Sequence, residues 1–217
     1  DQGFDVKLIQ PYQTGEIGQD VTTVPRMYNL HAFDWVCRAC AERTYQGPRP
    51  AQCAKCHSTD HTMDVLWRAK PSPETDFMRF DANLRFQYWG KYKQRPEAKS
   101  DIEETMSLLG ACWMMTRARF FELDGLDEAH GSWGQMGTEI ACKTWLSGGR
   151  LVVNKRTWFA HMFRTQPGWT FPYPNPGVEQ ARERSRYLWL GDHWPNAVHP
   201  LAWLVEHFAP VPGWEPL

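Results

Sequence analysis

The chain has 217 residues, of which 42% are hydrophobic, so it can bury a core as one large domain or as one domain with an insert. Its net charge of −1 and its pI near 6.8 exclude a general electrostatic attraction to nucleic acid or to an anionic membrane. No apolar run approaches the roughly 20 residues that cross a bilayer, so we expect no membrane span.

The N-terminal stretch carries no secretion signal. Asp1 is followed by no basic segment, no long apolar run and no small-residue cleavage site. We therefore expect a cytoplasmic location.

Two pairs of cysteines form the first informative motif. Two residues separate Cys37 from Cys40 and Cys53 from Cys56, and twelve residues lie between the pairs. Each pair can form a tight turn that directs two thiolates at one ion, so the spacing predicts a tetrahedral, structural Zn²⁺ site of the zinc-ribbon kind. We place this insert at residues 35–70, where the metal would supply much of the folding free energy.

The cysteine motif has alternatives. Two disulfides would suit a secreted protein, but adjacent pairs of this spacing rarely serve as plain bridges. His57 and His61 are interpreted as bystanders, because four cysteines already complete the site. A modest excess of basic residues between Cys37 and Lys70 leaves a nucleic-acid contact open, beside a role as a structural staple or a protein-contact module.

A proline-rich linker at residues 71–73 precedes an aromatic and arginine-rich stretch, Asp76–Tyr92. Farther along, Ser107–Thr116 alternates large and small apolar residues with almost no charge, which predicts a strand covered on both faces. Arg117–Leu123 then predicts one or two helical turns. They end at Gly125, because glycine adopts tight backbone conformations readily.

A polar, glycine-rich loop, His130–Gly137, leads into a second helix that is predicted over Thr138–Leu146. A pair of glycines ends this helix. The pattern then predicts a strand over Arg150–Val153 that resumes through Trp158–Phe163.

The C-terminal residues predict a helical extension. Gln166–Gly177 contains four prolines and is expected to be irregular. Val178–Leu190 places its apolar residues on one side, as an amphipathic helix does, and Leu201–Phe208 predicts a last short helix.

Several short motifs follow one another in a fixed order between Gly110 and Arg164. They are Gly110-Ala111-Cys112, Arg117 to Phe121, Leu123-Asp124-Gly125-Leu126-Asp127-Glu128, Trp133-Gly134, Glu139 to Trp145, Gly148-Gly149 and Ala160-His161-Met162-Phe163-Arg164. Their order and spacing resemble the C-terminal half of GT-A type nucleotide-sugar glycosyltransferases, especially family 2 enzymes and the polypeptide N-acetylgalactosaminyltransferases. The corresponding family motifs read Arg-x-x-Phe, GGFDE, WG and GHxFR.

The resemblance implies an α/β chain that forms the C-terminal portion of a GT-A nucleotide-sugar transferase fold, with the four-cysteine zinc ribbon as an insert. Residues 1–34 would be the leading segment of this core and 71–165 its acceptor side, with Asp76–Tyr92 as an acceptor-side loop. Residues 166–217 would be a C-terminal helical extension. The implied activity is transfer of a sugar from a nucleotide-sugar donor to a glycan, a protein or a modified nucleic acid.

The resemblance also implies roles for individual residues. His161 matches the family histidine that helps to hold a catalytic Mn²⁺ or Mg²⁺, and the alternative is a buried strand histidine. Asp127 and Glu128 would contact acceptor hydroxyls, and the alternative is a solvated turn.

Three further residues are assigned to substrate binding. Trp133 would stack on a sugar, or else anchor its loop in the core. Arg164 would bind phosphate or pair with a carboxylate. Gly110 lies on the small-residue segment of the family.

The chain departs from the family pattern after Trp133 and Gly134. The family usually places an acidic residue two or three positions later, where this chain has Gln135, Met136 and Gly137. Glu139 is the nearest carboxylate, and we assign it as the candidate general base.

The nucleotide-binding half of the family, with its metal-binding aspartate pair, has no recognisable counterpart in the chain. Gly3–Ile9 resembles the segment that follows those aspartates, so we expect a fragment of a longer enzyme, with a complete small domain as the alternative. A second hypothesis, from another class of protein, is a non-catalytic zinc-ribbon binding module that derives from a glycosyltransferase and contacts nucleic acid or protein.

Overall fold

The computed structural model describes residues 1–131, 134–164, 167–169 and 177–214. These residues form two compact units. The first contains Asp1–Arg26, Pro73–Phe159 and the described part of 175–217, and the second contains Met27–Ser72 with the described part of 160–174. The unit with the cysteine pairs therefore begins at Met27, ahead of residue 35, while the four-part division drawn from the sequence stays a prediction.

The secondary structure mixes helices and strands throughout the chain. Among the described residues the α-helices are α1 (Phe4–Gln13), α2 (Arg117–Glu122), α3 (Met136–Leu146), α4 (Val178–Ser185) and α5 (Leu201–His207). The strands are β1 (Val21–Cys37), β2 (Arg43–Tyr45), β3 (His61–Lys70), β4 (Met78–Phe80), β5 (Phe86–Tyr88), β6 (Ile102–Glu104) and β7 (Arg150–His161).

The first unit contains antiparallel pairs. β6 pairs with β7, with Ile102 opposite Asn154, and β7 lies between β1 and β6 in the strand order. β4 and β5 form a separate two-stranded sheet. The predicted strand at the C-terminal end of the glycosyltransferase-like segment is confirmed as β7, which is continuous from Arg150 and ends at His161, two residues before the predicted limit.

Helix α3 lies in the core of the first unit, and every residue from Thr138 to Leu146 is buried. Trp145 is 1% exposed, and its indole N–H donates to the Thr105 carbonyl oxygen at 3.2 Å, which satisfies the polar atom of a large buried ring. The helix ends at Leu146, and Gly148, two residues later, has a φ of +83° that favours glycine. The predicted helix is thus confirmed, with a start two residues earlier, at Met136.

The predicted strand over Ser107–Thr116 is wrong. Its backbone does not form the regular hydrogen bonds of a β-ladder. The Ser107 N–H donates to the Met78 carbonyl, and Met114 forms one isolated bridge with Thr23. The segment instead packs against the start of α3. A Cβ at Gly110 would lie 3.1 Å from the Gly137 nitrogen, and a Cβ at Gly137 would overlap the Leu108 carbonyl oxygen. This close backbone contact requires glycine at position 137 and leaves little room for a side chain at position 110.

The other predicted helices are confirmed with small shifts in their ends. α2 ends at Glu122, one residue before the predicted limit, and Thr116 caps its start by accepting a hydrogen bond from the Arg119 N–H at 3.1 Å. The predicted helix Val178–Leu190 consists of α4 followed by a π-helical turn, and α5 covers the last predicted helix.

The second unit is a small antiparallel sheet around the C-terminal half of β1. β2 pairs with β1 at Asp34, Trp35 and Val36, and β3 pairs with β1 from Asn29 to Cys37. Among the described residues, both clusters of buried apolar side chains lie in the first unit, so the second unit has little core of its own.

Candidate functional site

The loop between α2 and α3 carries the acidic residues that the sequence singles out. It leaves α2 through Asp124 and Gly125, which both have left-handed backbone angles, with φ of +59° and +58°. Such angles suit Gly and Asp and reverse the chain direction within two residues. The reversal brings Asp127 and Glu128 alongside α3, which carries Glu139.

Glu139 is a buried anchor for this loop. Its side chain is 3% exposed, and one carboxylate oxygen accepts the Asp127 backbone N–H at 2.6 Å and lies 2.9 Å from the Lys143 ammonium group. Burial alone would raise the pKa of Glu139, but hydrogen bonds from His130, Asp127 and Lys143 outweigh burial and hold the pKa below its usual value. Glu139 is therefore ionised in the folded protein at neutral pH.

Lys143 and His130 complete the buried network. The Lys143 ammonium group also donates to the Gly125 carbonyl oxygen at 2.9 Å, which ties the loop reversal to α3. The His130 Nδ1 atom lies 3.3 Å from the second oxygen of Glu139, and its Nε2 atom is 3.1 Å from the Ser185 hydroxyl on α4. The network joins the loop, α3 and α4 through polar side chains that are buried.

Asp127 and Glu128 lie at the outer edge of this network. One oxygen of Asp127 accepts the Ala129 N–H at 3.0 Å, and the other accepts from the Arg184 guanidinium at 2.7 Å. Burial would raise the pKa of Asp127, but the Arg184 hydrogen bond and the Ala129 N–H hold the pKa below its usual value. Glu128 is exposed.

The structure thus brings together the three carboxylates that the sequence assigned to acceptor contact and to general-base catalysis. They differ in environment: Asp127 and Glu128 reach solvent, whereas Glu139 is enclosed and contacts the Asp127 N–H, Lys143 and His130. Sequence reasoning missed His130, Arg184 and Ser185, because the last two lie on a helix more than fifty residues farther along the chain. Lys143 did carry a signal, since its i,i+4 spacing from Glu139 is that of a helical ion pair.

Removing one partner of the buried pair should destabilise the first unit strongly. Lys143→Met leaves the Glu139 charge buried without its counterion, and we expect a loss of about 3–5 kcal/mol in the free energy of unfolding. The double variant Glu139→Gln with Lys143→Met should lose less, because no unpaired charge remains. Urea unfolding followed by circular dichroism measures both, and an unaltered Lys143→Met stability would contradict the anchoring role.

The same pair predicts an acid dependence of stability. The pKa of Glu139 is lower in the folded chain than in the unfolded chain, so the unfolded chain binds more protons as pH falls. Stability that is present at neutral pH should therefore decrease as the pH falls through the folded-state pKa, below the usual range of a glutamate. Glu139→Gln should reduce this acid dependence, and Glu183→Gln, which alters an exposed glutamate of α4, should leave it unchanged.

His161 is the last residue of β7, in the second unit. Its ring is half-buried and lies 4.3 Å from the Phe163 ring, and burial lowers the pKa of His161, which favours the neutral imidazole. The Nδ1 atom is buried and has no hydrogen-bond partner in the described part of the chain. A neutral imidazole with an unused nitrogen suits a metal ligand.

The remaining predicted site residues are dispersed. Arg164 lies in the second unit, with its guanidinium 5.7 Å from the Trp169 ring. Gly110 lies in the first unit against the start of α3. Trp133 lies outside the described residues.

The four paired cysteines are close together. They are free thiols, and all four sulfur atoms lie within 4.8 Å of one another. The Cys37 and Cys56 sulfurs are 3.5 Å apart, and those of Cys40 and Cys53 are 3.6 Å apart. Zn–S bonds of about 2.3 Å in a tetrahedron place sulfurs about 3.8 Å apart, so the cluster has the dimensions of a four-cysteine zinc site.

The two cysteine turns have the same backbone geometry, and each reverses at a left-handed residue. The Ala41 N–H donates to the Cys37 carbonyl oxygen at 2.9 Å, and the His57 N–H donates to the Cys53 carbonyl oxygen at 2.9 Å. Ala41 and His57 have φ of +58° and +62°. His57 therefore occupies the reversal position of its turn, and the thiolates alone form the ligand group.

Two further observations concern metal ligands and membrane spans in the part of the chain that the structure describes. There, the cysteine cluster is the one group of three or more His, Cys, Asp or Glu side chains close enough to share an ion, and His161 belongs to no such group. No helix in the same residues is both long enough and apolar enough to cross a membrane.

The α/β architecture is that of the GT-A glycosyltransferase fold. The chain is similar to the crystal structure of GalNAc-T7 with UDP, GalNAc and Mn²⁺, with a TM-score of 0.59 and 16% identity, covering 94% of this chain and 36% of that one. This likeness establishes the fold. No family model matches the chain.

Similar sequences are polypeptide N-acetylgalactosaminyltransferases, which are glycosyltransferase enzymes. The chain is 24% identical over 153 residues to polypeptide N-acetylgalactosaminyltransferase 6 of Mus musculus, covering 69% of this chain. It is 29% identical over 121 residues to the probable N-acetylgalactosaminyltransferase 8 of Caenorhabditis elegans, covering 52% of this chain. The matches span 22% and 28% of those two relatives.

Proposed function

We propose that this chain is the acceptor-side part of a longer, metal-dependent glycosyltransferase that moves a sugar from a nucleotide-sugar donor to an acceptor. The observation that carries the proposal is the GT-A fold match, which extends over 94% of the chain. The similar curated sequences are glycosyltransferases as well. The matched structure contains UDP, GalNAc and Mn²⁺, which supports a nucleotide-sugar donor and a divalent metal here.

The proposed roles follow the environments of the side chains. Asp127 and Glu128 would bind acceptor hydroxyls, because they combine carboxylate acceptors with access to solvent. Glu139 would hold their loop in position, since its oxygens are already used by Asp127, Lys143 and His130. A role of Glu139 as general base stays a hypothesis, and the kcat of Glu139→Gln tests it.

His161 would supply one ligand to the catalytic metal, because its neutral ring has an unused nitrogen. A divalent ion at such a site neutralises negative charge on a departing diphosphate. The described residues offer one candidate ligand for this ion, so the others would come from elsewhere in the longer protein.

The cysteine cluster is proposed to hold one structural Zn²⁺. The sulfur distances and the two matching turns support this assignment. Because the ion would link two loops of a unit with little core, its proposed role is to stabilise the second unit.

The alternative is a non-catalytic binding module built on the same fold. The lack of a second group of metal ligands among the described residues favours it, as does Met136 at a place where the family usually has an acid. Such a module would contact protein or nucleic acid through the cysteine-containing unit.

A transfer assay separates the two hypotheses. A full-length protein that contains this chain should convert a nucleotide sugar and an acceptor to a glycosylated product in the presence of Mn²⁺, as detected by mass spectrometry. Residues 1–217 alone should not, because they lack a recognisable diphosphate site. Efficient transfer by the 217-residue chain would contradict the proposed division of roles, and a full-length protein inactive with every donor and acceptor class would favour the binding module.

A further inference from the structure

A cavity of about 460 Å³ lies in the first unit, beside the loop that carries Asp127. This volume is within the range of small-ligand sites, which is about 300–1,000 Å³. Its lining includes Asp124, Asp127, Arg184, Tyr187, His193 and Trp194. The last four come from α4, the turn after it and the following loop, none of which the motifs of the sequence singled out.

Five charged side chains line the cavity, and all of them except the exposed Glu128 have partners among the described residues. Asp127 accepts from Arg184 at 2.7 Å, Asp124 accepts from the Asn196 amide at 2.6 Å, and Lys143 is held by Glu139 at 2.9 Å. A phosphate would meet the carboxylates of Asp124, Asp127 and Glu128, and a cation would meet Arg184 and Lys143. Both kinds of charged ligand would have to displace an ion pair or face like charge, so the lining favours a neutral, polar ligand.

Planar polar groups line one wall of the cavity. The rings of Tyr187 and His193 stack with centroids 4.2 Å apart and an angle of 8°, and the His193 Nδ1 atom lies 2.8 Å from the Tyr187 carbonyl oxygen. The Arg184 guanidinium carbon lies 5.6 Å from the centre of the Tyr187 ring. Tyr187 is 53% exposed although its ring is held in place.

We propose that this cavity binds a neutral sugar ring, and that the acceptor of the proposed transferase is therefore a glycan. Aromatic faces pack on the C–H groups of a sugar ring, while carboxylate, guanidinium and imidazole groups exchange hydrogen bonds with adjacent hydroxyls. The site next to Asp127 combines both. The identification of the sugar as an acceptor rests on the proposed function, whereas the binding of the sugar does not.

Ligand-observed NMR on the 217-residue chain tests the binding directly. The probes are glucose, galactose, their N-acetylated 2-amino derivatives and disaccharides of each, with inorganic phosphate, putrescine and a neutral glycine–serine tripeptide as comparators. We expect at least one sugar to bind and the comparators not to compete with it. Tyr187→Ala should weaken sugar binding by about tenfold or more, because it removes the aromatic wall.

Two variants keep the test clear. Tyr88→Ala removes an exposed tyrosine of the same unit outside the cavity and should leave sugar binding unchanged. Tyr187→Phe keeps the ring and should retain most of the binding, and circular dichroism of Tyr187→Ala separates loss of the aromatic wall from misfolding.

The outcomes also separate this inference from the proposed function. The inference is overturned if no sugar binds, if the tripeptide or phosphate displaces the sugar, or if Tyr187→Ala binds as tightly as the unaltered chain. Sugar binding that depends on Tyr187, together with no transfer by the full-length protein, would contradict the transferase and leave the site in place. Transfer to a protein acceptor without any sugar binding would contradict the sugar site and support the transferase.

Discussion

About one zinc ion per chain is the expected result of metal analysis on the purified protein, and the double variant Cys37→Ser with Cys53→Ser should lose it. The variant removes one thiolate from each of the two turns, so neither turn retains the pair that a tetrahedral site requires. Zinc bound to four cysteines contributes about 10–16 kcal/mol in small zinc domains, which exceeds the stability of most domains. We therefore expect the second unit to unfold in the variant.

Circular dichroism and proteolysis can follow this unfolding. Cleavage of the variant should begin within residues 27–72, and a zinc chelator should produce the same pattern in the unaltered chain. Cys112→Ser is the matched control, because Cys112 lies outside the cluster and its replacement should leave the zinc content unchanged. An unchanged zinc content in the double variant would contradict the assignment of the four cysteines as zinc ligands.

The sequence predicted the cysteine cluster well because the arrangement of the four sulfurs is encoded locally. Two-residue spacing fixes the shape of each turn, and four sulfurs of one kind leave few arrangements. The predictions for α2, α3 and α5 succeeded for a similar reason, since their periodicity, caps and terminal glycines are all local features.

The failure at Ser107–Thr116 has a tertiary cause. Its apolar alternation resembles that of a buried strand, but only Ser107 and Leu108 are buried, and the segment contacts the start of α3 closely at Gly110 and Gly137. The alternation by itself does not distinguish a paired strand from an irregular segment that packs against a helix.

The candidate site was predictable only in part. Asp127, Glu128 and Glu139 were identified by resemblance. Their different environments depend on side chains that only the folded structure places beside them, which are Arg184, Ser185 and His130. The burial of Glu139 illustrates the difficulty: a carboxylate close to a missing acid in sequence can instead serve as an internal anchor.

The central proposal is that this chain contributes His161 to the metal site of a glycosyltransferase. The most direct test is the Mn²⁺ dependence of kcat/KM for His161→Ala in the full-length protein. If His161 is a ligand, kcat/KM should fall by roughly a hundredfold or more, and added Mn²⁺ should restore part of it, because a metal bond that supports both donor binding and the leaving group is lost. His199→Ala, which removes another half-buried imidazole, should retain activity, and circular dichroism should confirm that both variants fold. A well-folded His161→Ala enzyme with unaltered kcat/KM at low Mn²⁺ would contradict the proposal.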